Sequence, residues 1–215
     1  MSEINVNHHP DGGDEEMERT LRAALQSGSE AVQPPSIVDA AAAAGLLDVA
    51  YARLDSPVGP LVLASTPRGL ARLAYVDEGQ EEAIMEDLAA RLSPRILSAP
   101  RRLDGPRREL DEYFAGRRRA FDLTLDLRLL SDFTRRVLNA TAEIPYGEVA
   151  TYKDVATAAG SPRGFRAAGN ALGSNPLPIV LPCHRVLHSG GGLGGYTGGL
   201  ARKRVLLAIE GRPPE

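Results

Sequence analysis

Beyond residue 48 the chain breaks into short apolar runs: Val49-Ala50-Tyr51-Ala52-Arg53-Leu54, Pro60-Leu61-Val62-Leu63-Ala64 and Leu70-Ala71-Arg72-Leu73-Ala74-Tyr75-Val76. Ser56-Pro57-Val58-Gly59 and Thr66-Pro67-Arg68-Gly69 separate them, and such residues favour tight turns, so the three runs predict an antiparallel meander. Apolar positions then recur at helical spacing over 80–92 and 106–115. The alternation Phe121-Asp122-Leu123-Thr124-Leu125 predicts one more strand. Residues 49–128 therefore read as a small α/β lobe.

After Ser131 the pattern turns helical. Ser131-Asp132 caps a helix reaching about 143, Pro145-Tyr146-Gly147 makes a turn, a second helix covers 151–159, and Ser161-Pro162 starts a third that reaches 173. Two short helices joined by Gly160-Ser161-Pro162 suggest a helix-turn-helix, a unit able to present its second helix to a DNA groove. The predicted architecture is an α/β amino-terminal lobe with an antiparallel sheet, followed by a mainly helical domain with a helix-turn-helix at 131–212, a unit that in most proteins with adjacent short helices binds nothing. Residues 1–48 differ from both. They are acidic up to Ser29, broken at Pro34-Pro35 and alanine-rich over 39–47, and read as a largely disordered arm. Met17, Leu21, Ala24 and Leu25 allow a short helix over 15–26.

Composition sharpens this division. The arm carries 9 acidic and 2 basic residues, which argues against DNA contact there. Residues 1–132 hold 15 Lys+Arg against 23 Asp+Glu, a balance of −8, whereas residues 133–215 hold 10 against 5, a balance of +5. The second half is the natural partner for a polyanion, although such an excess also occurs on ordinary solvated surfaces. No run approaches the roughly 18 apolar residues of a membrane span, and the acidic start lacks the basic and apolar regions of a secretory signal, so a cytoplasmic protein with no membrane partner is expected. One cysteine excludes an internal disulfide, and a free thiol survives best in a reducing compartment.

That cysteine, Cys183, follows the apolar run Leu177-Pro178-Ile179-Val180-Leu181-Pro182, which reads as a buried extended segment. Inert packing is one reading of a lone cysteine. A nucleophile is the other, because His184 and Arg185 adjoin it and both favour a thiolate. Zinc is the rival for Cys183, His184 and His188, but a third and fourth ligand are poorly supplied, since no second cysteine exists and the other histidines, His8 and His9, sit in the arm. The glycine run from Gly190 to Gly199 suits either flexible filler or a loop approaching a flat ligand closely, with Tyr196 as its one large side chain.

Pro182-Cys183-His184-Arg185-Val186, preceded by Ile144-Pro145-Tyr146-Gly147-Glu148-Val149, Thr151-Tyr152 and Asn175-Pro176, and followed by Tyr196-Thr197-Gly198-Gly199 and Glu210-Gly211, resembles the O6-alkylguanine-DNA alkyltransferase family. The likeness covers about residues 49–212. In the amino-terminal lobe it includes Asp55-Ser56-Pro57-Val58-Gly59-Pro60-Leu61 and Tyr113-Phe114-Ala115-Gly116, blocks that support the fold without a chemical role.

The resemblance implies single-turnover transfer of an alkyl group from O6 of guanine in double-stranded DNA to Cys183, with no cofactor; the zinc ligands found in the amino-terminal lobe of some relatives are absent, so no metal is expected. It implies that His184, linked to the thiol through water and directly to Glu210, helps hold a thiolate, and that Tyr152 donates a proton or hydrogen bond to the departing base. Asn175 would orient the Cys183 loop, while Tyr196, Thr197 and Gly198 would line the pocket for an extruded base. The DNA-reading helix would span 162–173, with Arg166 entering the stack, Ala167, Ala168, Gly169 and Ala171 forming a smooth surface, and Arg185 assisting substrate or DNA binding. A monomer is implied, with cooperative binding along DNA and the partner of the arm left open. This chain has Gly173-Ser174 where many members carry a basic residue, and no Trp. Rival readings are a non-catalytic lesion-binding relative, which would replace the nucleophile, a helix-turn-helix regulator with an alkylation-sensitive thiol, and a Cys-His acyl-transferring hydrolase.

Overall fold

The computed structural model describes residues 37–212, so the helix expected over 15–26 lies outside the described residues. The alanine-rich stretch, assigned above to a disordered arm, instead forms helix α1, Ile37–Ala43. Alanine is the strongest helix former, and Gly45 ends the helix in a left-handed turn, with Leu46 N–H bonded to Ala41 O at 2.7 Å.

The three apolar runs form β1 (Val49–Leu54), β2 (Leu61–Thr66) and β3 (Gly69–Tyr75), an antiparallel meander as the turn residues require. A fourth strand, β4 (Ile96–Ser98), pairs parallel with β1 and gives the order β3-β2-β1-β4. It was not foreseen, since three residues carry no legible alternation. The strand expected over 121–125 does not form. That segment lies along β3 through a single bridge, Leu70 to Leu125, with Leu70 N–H bonded to Thr124 O at 2.9 Å.

Helices α2 (Glu81–Arg91) and α3 (Asp104–Phe114) complete this lobe. Because side chains alternate across a strand, Val62 and Ala64 of β2 join Ile84 and Leu88 of α2 on one face, whereas Leu61 and Leu63 enter the main core.

The second half holds α4 (Asp132–Ala142), β5 (Ala150–Thr151), α5 (Tyr152–Ala158), α6 (Phe165–Gly173), β6 (Val186–Leu187) and α7 (Gly199–Ile209). Ser131 caps α4, its hydroxyl accepting from Thr134 N–H at 3.2 Å. Thr151 and Asp154 make a reciprocal capping box on α5. Helix α6 starts three residues later than Ser161-Pro162 suggested, because Gly164 N–H closes a turn onto Ser161 O at 2.8 Å first. The α5–turn–α6 unit is a helix-turn-helix. Strands β5 and β6 pair parallel, which brings the start of α5 beside the segment that follows Cys183.

One apolar core runs through both halves: Leu61, Leu63, Leu103, Leu110 and Tyr113 share it with Val137, Leu138, Leu177, Ile179 and Leu206. Each such side chain contributes about 1.5–3 kcal/mol by leaving water. A backbone hydrogen bond from Leu73 of β3 to Pro176 O, 2.9 Å, fixes the sheet to the segment leading to the cysteine.

Gly69 shows how tightly this frame is drawn. Its φ is 135°, and a Cβ there would collide with the Thr124 carbonyl. Gly69→Ala is expected to destabilise the fold by about 2–3 kcal/mol, read as a lowered urea midpoint with unchanged slope.

Candidate active site

Cys183 begins a single 3-10 turn, Cys183–Arg185, and the residues before it fix its place. Residues 177–182 are buried but not extended as the apolar run suggested. They fold into a turn, with Leu181 N–H bonded to Leu177 O at 2.8 Å and Ile179 at φ 75°, a region that β-branched residues rarely enter. Asn175 braces this turn. Its Oδ1 accepts from Leu177 N–H at 2.9 Å, and its Nδ2 donates to Leu181 O at 2.8 Å and to Cys183 Sγ at 3.0 Å.

Burial pushes the Cys183 thiol up to about 11, although the Asn175 donor and the Lys203 charge act the other way. The resting sulfur is therefore a thiol, not the standing thiolate that the sequence suggested, because desolvation penalises the anion. A base must take its proton when it reacts.

His184 is suited to that task. Its Nε2 lies 2.8 Å from Glu210 Oε1, both side chains are fully buried, and Nδ1 has no hydrogen-bond partner among the described residues. Burial holds the imidazole below its usual pKa despite the carboxylate, so the ring is neutral at neutral pH. An ionised carboxylate only accepts, which assigns the ring proton to Nε2 and leaves Nδ1 as the acceptor.

Glu210 caps α7 and is the most connected polar group of the site. Its carboxylate receives Tyr113 Oη at 2.7 Å, His184 Nε2, Arg185 Nε at 2.9 Å, Arg185 Nη2 at 3.0 Å and Gly147 N–H at 3.2 Å. Burial alone would raise its pKa, but the His184 and Arg185 donors prevail and bring it to about 2. Two sequence readings change here. Tyr113, taken as a fold residue, reaches from α3 into the cluster. Arg185, taken as a DNA contact and thiol neighbour, is buried and turned inward onto Glu210 and Ile144 O (2.5 Å), away from the surface a phosphate would approach.

Lys203 was missed altogether. It is fully buried on α7 and donates to Val186 O at 2.6 Å and to Leu193 O, tying both arms of the glycine-bearing loop; burial lowers its pKa to about 8. Its signal in the sequence was only a lysine within an apolar helix stripe, beside Leu206 and Leu207.

Above the sulfur lies a cavity of about 270 Å³ whose walls include Tyr152, Gly169, Leu172, Tyr196 and Thr197. Tyr152 Oη donates to Gly195 O at 3.3 Å, and burial raises its pKa, so the phenol keeps its proton. A Cβ on Gly194 would sit 2.7 Å from that oxygen, which is why the loop must be glycine there. Tyr196 Oη meets Tyr75 Oη at 2.6 Å, Thr197 Oγ1 donates to Gly173 O at 3.0 Å, and the two tyrosine rings crowd over Gly198.

On α6, Arg166 and Ala167 are exposed and Gly169 partly so, but Ala168 and Ala171 face the core, 0% and 5% exposed. Helical spacing explains the correction: positions 168, 171 and 172 share the inward stripe, so these two alanines cannot form part of an outer surface. Among the described residues no cluster of three or more His, Cys, Asp or Glu is disposed to hold a metal, and no helix is long and apolar enough to cross a membrane.

A thiol at the floor of a pocket, backed by an imidazole–carboxylate pair and opening beside a helix-turn-helix, defines a cysteine-centred transferase site next to a DNA-binding unit. Comparison with known proteins agrees. Residues 49–127 match the ribonuclease-like domain, and residues 132–212 the DNA binding domain, of 6-O-methylguanine DNA methyltransferase. A methylated-DNA–protein-cysteine methyltransferase of Mycolicibacterium paratuberculosis is 43% identical over 164 residues, 76% of this chain and 93% of the relative. The crystal structure of Mycobacterium tuberculosis OGT in complex with DNA superposes with a TM-score of 0.64 at 37% identity, covering 77% of this chain and 96% of that one. The Mycobacterium tuberculosis O6-methylguanine methyltransferase gives 0.66 at 40% identity, covering 75% and 92%. The chain belongs to the methylated-DNA–protein-cysteine methyltransferase family.

The depressed Glu210 pKa carries a stability consequence of definite sign. The native state holds the carboxylate ionised more tightly than the unfolded chain, so its stabilisation is complete above the unfolded value near 4.5 and is lost as pH falls toward about 2. Denaturant titrations between pH 6 and pH 2 are expected to show a steep loss of stability for the native chain and a shallower one for Glu210→Gln.

Proposed function

We propose that this chain repairs alkylated DNA by moving the alkyl group from O6 of guanine in duplex DNA onto Cys183, once per molecule. The supporting observation is the Cys183 thiol, held by Asn175 at the floor of a pocket and followed by a neutral imidazole whose far nitrogen is committed to Glu210. Base extrusion is a physical requirement, because the modified oxygen lies inside the duplex beyond reach of a buried thiol. Exposed Arg166 fills the gap left in the stack, and Ala167 and Gly169 allow the helix to approach a minor groove closely.

In the reaction, the Cys183 proton passes through a water molecule to His184 Nδ1 and the sulfur attacks the alkyl carbon. The sulfur–carbon bond forms as the carbon–oxygen bond breaks, guanine leaves with the electron pair as its anion and takes a proton from solvent, and His184 returns the cysteine's proton to solvent. The Tyr152 hydroxyl donates a hydrogen bond to the departing ring, and the Lys203 ammonium favours the transient sulfur anion. The product is a buried thioether. The chain contains no second thiol to regenerate it, hence the single turnover.

Residues 49–128 act as a supporting lobe and residues 131–212 as the catalytic domain. The need for a reduced thiol suits the cytoplasm.

Incubation with a duplex oligonucleotide bearing O6-methylguanine is expected to add one methyl group to the peptide containing Cys183, and Cys183→Ser is expected to abolish transfer while the protein stays folded. An unmodified peptide after long incubation would exclude the reading. Tyr152→Phe, which keeps the ring and removes the donor, is expected to slow single-turnover transfer about a hundredfold without weakening duplex binding, measured by quenched flow and by fluorescence anisotropy.

A further inference from the structure

The inward stripe of α6 runs Leu172, Ala168, Phe165, in steps of four and three. Its last member overruns the core: Phe165 is 48% exposed, at the tip of the helix-turn-helix. One exposed apolar side chain is ordinary on a protein surface, so its neighbours decide what this one marks. The Arg166 guanidinium lies over its ring, 5.8 Å from the centroid, so the two side chains form one projecting unit.

That unit borders an open groove of about 660 Å³ whose walls also include Tyr152, Lys153, Gly169 and His188, with no carboxylate among its lining residues. Tyr152, Gly169 and Gly195 line both this groove and the Cys183 cavity, so the two spaces adjoin. A groove rimmed by Lys153 and Arg166, with a flat apolar ring at its edge, suits a ligand that is anionic outside and offers flat apolar faces within. Duplex DNA opened at one nucleotide has that chemistry.

Resting on the alkyl-transfer reading above, we infer that Phe165 is a further DNA-contacting residue, a wedge that stacks on the base pair beside the extruded nucleotide. Arg166 occupies the vacated position, and Phe165 holds the neighbouring step unstacked, so the opened duplex is favoured without any reading of sequence. Phe165 touches neither the sulfur nor its relay, so its loss should impair engagement of the duplex and leave the thiol's own reactivity alone.

The test uses the full chain as native protein, Phe165→Ala and Phe165→Trp. Three readouts are taken: single-turnover methyl transfer from duplex O6-methylguanine, fluorescence of a 2-aminopurine placed next to the lesion, and alkylation of Cys183 by iodoacetamide without DNA. Phe165→Ala is expected to slow duplex transfer roughly tenfold and reduce the 2-aminopurine signal, with iodoacetamide labelling unchanged, and Phe165→Trp to restore both DNA readouts. Duplex transfer and 2-aminopurine signal in Phe165→Ala equal to native would overturn the wedge, as would a loss matched by slower iodoacetamide labelling, which marks a damaged pocket. Native protein that leaves the duplex methylated would instead overturn the alkyl-transfer reading, and the wedge with it.

Discussion

A single buried carboxylate organises this molecule. Glu210, at the end of the last helix, draws in a phenol from the amino-terminal lobe, the imidazole and guanidinium that follow the cysteine, and a backbone N–H from the turn before β5. An ionised carboxylate out of water is costly unless its acceptor sites are filled, so every one of these donors must be in place for the site to exist. Four separate stretches of chain are thereby brought to one point, and the cysteine inherits its position from that convergence.

The same arrangement sets the protonation of the site at rest. Glu210 and Arg185 cancel each other, His184 is neutral and Cys183 keeps its proton, so the pocket floor carries little net charge beyond the Lys203 ammonium. A neutral thiol is far less prone than a thiolate to oxidation and stray alkylation.

Much of this was legible before any coordinates. The three strands of the meander announced themselves through short apolar runs and the turn residues between them, and the helix-turn-helix through caps and a Gly-Ser-Pro connection. The Pro182 to Val186 block, with its satellites, named the chemistry. What stayed hidden was long-range or geometric. Nothing local in Tyr113 reports that its hydroxyl meets a carboxylate 97 positions away, and the neighbourhood of Arg185 in sequence suggested the thiol although its side chain points the other way. The small residues of α6 looked equivalent as letters, but the helical turn sends Ala168 and Ala171 inward and Ala167 outward. Strand β4 and helix α1 escaped because three residues, or a run of alanines beside an acidic segment, carry too little pattern.

The two domains that meet near residue 130 pack against each other over a shared core. Residues 38–212 form one compact unit, joined by a shared core, by the Leu73 to Pro176 backbone hydrogen bond and by Tyr113. A fragment beginning at Ser131 would retain every group that touches the reacting atoms. It would nevertheless expose Leu177, Ile179 and Leu206 to solvent, unpin the segment before the sulfur and leave the central carboxylate short of a donor. The half of the chain without reactive groups thus serves as the template on which the reactive half acquires its shape.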